Sequence, residues 1–293
     1  MKRRAFTIVE LMIVISIIAL LAAMAASALS TATEQARAQR TRAIVTKIDQ
    51  LIMEKWDGYR TRAIAYTRHA NPRISARNRL YALRELQRME LPDSVNDVWD
   101  NPVTLTNVPA VALGYRRKAL PVGTWTGQYE NAEALYLILS GMRDGDKSAL
   151  DYFTSSEIGD IDSDGMPEIL DGWGEPIHFI RWPAGYRSDA TPPALTHIRR
   201  DIPDPFDPLK VDPRVDPSVD NDPSNDTYYV SPLVFSSGSD NEAGVVVTGA
   251  AFSYAASSPT SPANDPFQTR KTPEFGSFYN SQEAADNITN HSP

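Results

Sequence analysis

Five carboxylates crowd one short stretch, "DIDSDGMPEILD", Asp160 to Asp171. Asp160, Asp162 and Asp164 fall at positions 1, 3 and 5 of a twelve-residue calcium loop. Gly165 is at 6, the Met166 carbonyl at 7, Glu168 at 9 and Asp171 at 12. Calcium takes six to eight oxygens in a flexible shell, and alternate aspartates turned by a glycine supply them. The expected ligands are therefore Asp160, Asp162, Asp164, Met166, Glu168 and Asp171, and the expected cofactor is calcium. Position 12 is aspartate, one methylene shorter than the usual glutamate, and position 8 is Pro167. The alternative is a surface loop of Asx turns that holds no ion.

Little else in the chain suggests a reaction. His69, His178, His197 and His291 make no close metal spacing, and no cysteine is present. There is no Gly-rich phosphate loop and no Gly-x-Ser-x-Gly. No enzyme is expected. Residues 1–100 hold 16 Lys/Arg and 10 Asp/Glu, net +6, while the remainder holds 13 and 27, net −14. A mostly acidic exterior argues against nucleic acid, because binding phosphates needs positive charge. The arginines between Arg60 and Arg88 are read as a solvated helix face.

The elements that must position the acidic loop follow from the periodicity. Ser75 to Leu91 reads as a helix closed by Pro92, and Tyr129 to Met142 as another. Strand candidates are Ile177–Trp182, Thr227–Phe235 and Ala243–Tyr254. "GWGEP" after the acidic loop breaks any exit helix, so an isolated loop is expected rather than a paired EF-hand sensor. Asp201 to Asp226 is crowded with Pro and Asp and reads as an extended surface loop. Residues 258–293 read as a flexible tail. The globular α+β domain is placed at 69–257.

The N-terminus decides the class. From Phe6 to Leu29 the only charge is Glu10, in a run that as a helix is about 36 Å long and crosses a bilayer core. Lys2, Arg3 and Arg4 precede it, so the N-terminus is expected in the cytoplasm and the rest outside, in a single pass. A secretory signal peptide competes, with small-x-small sites at Ala23-Met24-Ala25 and Ala26-Ser27-Ala28. Against it, a charge sits inside the apolar run, and the helical pattern continues without proline to Tyr66. Ile44, Ile48, Leu51, Ile52 and Trp56 form an apolar stripe there. One helix is expected across 6–29, the transmembrane part, and 30–68, an amphipathic exported half.

"RRAFTIVELMIVISIIALLAAMA" closely resembles the leader and first helix of the type IV pilin and type II secretion pseudopilin superfamily. The resemblance implies a leader of residues 1–5, cleavage between Ala5 and Phe6 by a prepilin peptidase, and methylation of the new Phe6 amine. The family usually has glycine before the cut; this chain has Ala5. It also implies a pilin-like fold: a long helix, then a small antiparallel sheet domain with extra helices and loops. The implied partners are copies of itself or other pilin-like subunits, an inner-membrane assembly platform and membrane lipid. Glu10 is then an assembly residue, pairing with the Phe6 amine of a neighbour. "DGWGEPIHF" and "FSSGSDNEAG" resemble segments of the major pseudopilin, whose late loop helps bind calcium. That resemblance implies a second calcium site at Asp240, with Ser237 and Ser239 as weaker ligands. The implied location is the inner membrane, with the C-terminal domain periplasmic, and the implied role a pseudopilus subunit. The alternative is an anchored calcium-dependent binding module that never polymerises.

Overall fold

The computed structural model of the protein describes residues 7–122, 125–187, 198–216, 218, 222–223, 226–247, 265–267, 274–280 and 282–291. The fold is α+β, a long N-terminal helix followed by small antiparallel sheets and extra helices.

Helix α1 runs from Ile8 to Gly58. Thr7 starts it with a capping box: its side chain accepts from the Glu10 N–H, and the Glu10 carboxylate accepts from the Thr7 N–H at 2.9 Å. Residues 7–37 are exposed throughout. Farther along, Thr41, Ile44, Val45, Ile48, Ile52 and Trp56 recur at three- and four-residue spacing and are buried. The helix stops eight residues short of Tyr66. Gly58 weakens it by about 1 kcal/mol relative to alanine, and the next residue, Tyr59, turns its hydroxyl inward to donate to Glu90. Arg62 also bonds Glu90, at 2.8 Å. Residues 62–68 are not helical, and the Arg62 and Thr67 carbonyls accept from the Arg79 and Asn78 side chains.

Helix α2 (Pro72–Glu90) begins with Asn71 accepting from the Arg73 N–H and Pro72 at the first helical position, where no N–H is needed. Its second half is buried all round. Glu85 lies there, its carboxylate accepting from the Val103, Thr104 and Leu105 N–H groups at 2.6, 2.7 and 2.8 Å. That single side chain organises the loop before α4. Helices α3 (Val95–Trp99) and α4 (Ala110–Ala119) were not anticipated by the periodicity. Helix α5 (Glu130–Gly141) is central and packs on β4 and β5.

Hairpins β1–β2 (Arg143–Asp144, Lys147–Ser148) and β3–β4 (Ile158–Gly159, Glu168–Ile169) precede a three-stranded antiparallel sheet. Its order is β5 (His178–Ile180), β6 (Leu233–Ser236), β7 (Ile288–Thr289), with Phe179 opposite Val234 and Ser236 opposite Ile288. The buried stripe of α1 lies against β6 and β7. Of the third expected strand, Val245 makes one bridge to Phe278, and 248–254 lie outside the described residues.

Three expectations are corrected. The Asp-Pro segment is not an extended surface loop: Asp204, Phe206, Asp207, Val211, Asp212 and Asp216 are buried. The arginines of α2 are not uniformly solvated either, since Arg84 and Arg88 are buried. The two errors share a cause. Arg84 pairs with Asp212 at 2.6 Å and Asp204 at 3.3 Å, so each charged segment makes burial of the other tolerable. The tail is not free where described: Phe267, Phe275, Ala284 and Ile288 are buried, and β7 completes the sheet. Phe267 packs under the Arg84 and Arg214 guanidiniums.

A second buried charge group joins α2, α3 and β5. Asp97 bonds Arg181 at 2.6 Å and Arg88 at 3.2 Å. Burial, opposed by Arg181 and reinforced by the Asp97 carboxylate, pushes Asp93 up to about 7. The unfolded chain ionises this group first, so its contribution to stability is present below the ordinary carboxylate range and is lost as pH rises through about 7. Asp93→Asn, which keeps an acceptor for the Arg181 N–H and a donor toward Asp97, is expected to flatten that fall. Chemical denaturation across pH 5 to 8 checks it; parallel wild-type and variant curves would refute the assignment.

Candidate functional site

The acidic loop joins β3 to β4. Its aspartates fold it on themselves: Asp160 accepts from the Asp164 and Gly165 N–H groups at 3.2 and 3.0 Å, and Asp164 from Met166 N–H at 2.8 Å. Ser163 (φ 60°) and Gly165 (φ 96°) supply the left-handed turns. Thr126 clamps the loop from outside, donating its hydroxyl to Asp162 at 2.7 Å and its N–H to Asp164. Glu168, at the start of β4, accepts from Ile161 N–H at 3.1 Å.

Two overlapping carboxylate triads result. Oxygens of Asp160, Asp162 and Glu168 lie within 4.8 Å of one another, as do oxygens of Glu133, Asp162 and Asp164. Glu133 comes from α5, and its Oε2 accepts from the Trp125 indole N–H. Glu133 and Glu168 are both fully buried, and each keeps one oxygen, Oε1, with no hydrogen-bond partner. Burial pushes Glu133 up to about 9, reinforced by the Asp164, Asp162 and Glu168 charges against the Trp125 bond. Burial likewise pushes Glu168 up to about 7, with Asp162, Asp160 and Asp164 adding to it. The donor set is all oxygen, and two buried oxygens lack partners, so the residues fit a hard divalent cation.

Four of the six expected ligands converge here: Asp160, Asp162, Asp164 and Glu168. Met166 is adjacent, with its side chain in the core. Asp171 is corrected: it is spent elsewhere. Its Oδ1 accepts from the Trp173, Gly174 and Glu175 N–H groups at 2.8, 2.9 and 3.0 Å, and its Oδ2 from the Ser236 hydroxyl at 2.5 Å. It ties a tight turn to β6 instead of closing the loop. That turn must sit on α1, because a Cβ on Gly172 would come within 2.4 Å of the Arg37 carbonyl oxygen. Glu133 was missed, although one signal was legible: an acid flanked by Ala132 and Ala134 and followed by the apolar run Leu135–Leu139 of the helix.

The residues of the second expected calcium site make other bonds. Asp240 accepts from Glu242 N–H in its own exposed turn, while Ser239 donates through N–H and hydroxyl to Asp286 at 2.8 and 3.0 Å. Ser237 is buried. Among the described residues no group of three aspartate, glutamate or histidine side chains forms there.

The other feature of functional interest is the first half of α1. It is the one helix among the described residues long and apolar enough to cross a membrane, and its most apolar stretch is entirely unburied. Glu10 sits one turn in, held by Thr7 through both N–H and hydroxyl. Ala5 and Phe6 lie outside the described residues. Residues 1–26 match the family described as the prokaryotic N-terminal methylation motif, which covers 26 of the 293 residues. No curated protein and no solved structure matches the chain. A prepilin-type methylation motif thus opens a long apolar helix, an arrangement consistent with the type IV pilin-like superfamily.

Proposed function

We propose that the chain is a structural subunit of a pilus-like filament in a type II secretion-like system, a pseudopilin, and that its work is assembly. One observation carries this: the motif-bearing half of α1 is apolar on every side and wholly exposed, while the other half is amphipathic and built into the domain. A helix apolar all round needs lipid or protein around it. Lipid of the inner membrane serves before assembly, with the N-terminus cytoplasmic and the domain periplasmic. Helices of neighbouring subunits, delivered at an assembly platform, serve afterwards.

The absence of native cysteines makes the test direct. Single substitutions Ile13→Cys and Leu20→Cys should give oxidised ladders of cross-linked subunits in cells that carry the assembly machinery, and only monomer in cells without it. Monomer in both would leave the anchored, non-polymerising binding module as the reading.

Maturation is tested separately. Intact mass of the membrane-extracted protein should show loss of residues 1–5 and one added methyl on the Phe6 amine. A mature start near Ala26 or Ala28 would instead identify an ordinary signal peptide and end the filament reading.

A further inference from the structure

We propose that Glu133 of α5 completes a divalent-cation site with Asp160, Asp162, Asp164 and Glu168, and that the ion, calcium by its ligand chemistry, pins the β3–β4 hairpin to the central helix. This differs from the twelve-residue loop read along the chain. There the closing ligand is Asp171, local in sequence; here it is Glu133, on another element.

The acidic cluster alone would not carry the inference. The second observation is the pair of buried oxygens. Oε1 of Glu133 and Oε1 of Glu168 have no hydrogen-bond partner, and both side chains are fully buried. An unsatisfied buried polar group costs about 1–3 kcal/mol, and more when charged. These two belong to the same carboxylates that sit within 4.8 Å of the loop aspartates. Two carboxylate triads share Asp162, and no salt bridge to Glu133, Asp160, Asp162 or Glu168 forms among the described residues, which makes sense if a cation is the missing partner. Contrast the buried acids elsewhere: Asp97, Asp204 and Asp212 all meet arginine. Here the surroundings supply a threonine and a tryptophan, which orient the carboxylates without neutralising them.

Oxygen-only donors and no imidazole favour calcium over transition metals. Ligands drawn from a loop and a helix can relax around a large ion more readily than they can meet the tight octahedron magnesium wants. The proposal does not depend on the filament reading, since it concerns the globular domain alone.

The test uses the full chain in detergent. Terbium is the probe for binding, because the Trp125 indole, bonded to Glu133, lies close enough to sensitise its luminescence. Calcium should displace terbium at about 10⁻⁴ to 10⁻³ M, as in extracellular calcium modules, and magnesium should do so far less well. At millimolar calcium the melting temperature should rise by about 2–4 °C over the chelated protein. Glu133→Gln should weaken calcium at least about tenfold, through loss of a charged ligand, yet melt no lower than wild type in chelator. Asp240→Asn should leave calcium binding unchanged. If Glu133→Gln fails to fold, Asp162→Asn on the half-buried loop decides in its place by the same loss. Calcium binding to Glu133→Gln with wild-type affinity, or a wild-type melting temperature indifferent to calcium, overturns the site.

Discussion

Replacing Glu10 by alanine is expected to leave the subunit in the membrane and keep it out of the filament. In the isolated chain Glu10 is committed to Thr7 within a capping box, and it stands one turn into a helix with no other charge before Glu34. A carboxylate in hydrocarbon costs about 3 kcal/mol on insertion scales, so alanine should insert at least as well. Assembly is different. On the proposed maturation, cleavage before Phe6 would create a cation, and among tightly packed helices a carboxylate from a neighbour would be its counter-charge. Removing one partner of a buried pair costs about 3–5 kcal/mol, which corresponds to a loss of a hundredfold or more in incorporation. Quantifying membrane-bound and filament-bound subunit side by side separates the two effects. Filaments containing Glu10→Ala at wild-type levels would show that Glu10 serves the cap alone.

The second large effect concerns stability. Arg84→Ala should destabilise the globular domain by about 3–5 kcal/mol, because Asp204 would then be buried without its cation and Asp212 would keep only Arg214. Burial raises Asp204, whereas Asp212, despite the same penalty, is held well below the usual carboxylate range by Arg84 and Arg214. Arg84 also lies over the Phe267 ring at 5.6 Å, so alanine removes packing as well. Arg84→Met combined with Asp204→Asn should recover most of the loss, since Asp212 keeps Arg214 and uncharged replacement of a whole buried pair is often near neutral. Urea denaturation with the slope held constant reads both. If Arg84→Ala unfolds at the wild-type midpoint, the Asp-Pro segment is not anchored through this pair.

What was legible locally and what was not differ in a consistent way. Helices α2 and α5 were found within a few residues, because proline and leucine spacing are local signals. Strands β5 and β6 were found where β-branched and aromatic residues run together, but β7 was hidden in a tail rich in Asn and Ser. Its two paired residues, Ile288 and Thr289, owe their conformation to β6 and α1. The Asp-Pro segment misled for a related reason. Composition scores aspartate as solvated, and only the fold reveals an arginine from α2 facing it.

By itself, the sequence determined the N-terminal motif: basic residues, Phe6, Glu10 at fixed spacing and an apolar run are contiguous, a pattern local to residues 1–26. It also named, beside Asp171, the four loop carboxylates that gather, since a tight turn closed by Ser163 and Gly165 needs only its own backbone. The tertiary structure alone decided the fifth. Asp171 and Glu133 are equally acidic, but the chain after Leu170 must turn closely over α1, which spends Asp171 on three N–H groups of that turn and the Ser236 hydroxyl. Helix α5, packed on β4, brings Glu133 to the loop across a sequence separation of 27 residues or more. Proximity across that separation comes from burying the apolar face of α5, a long-range energy that no local spacing encodes.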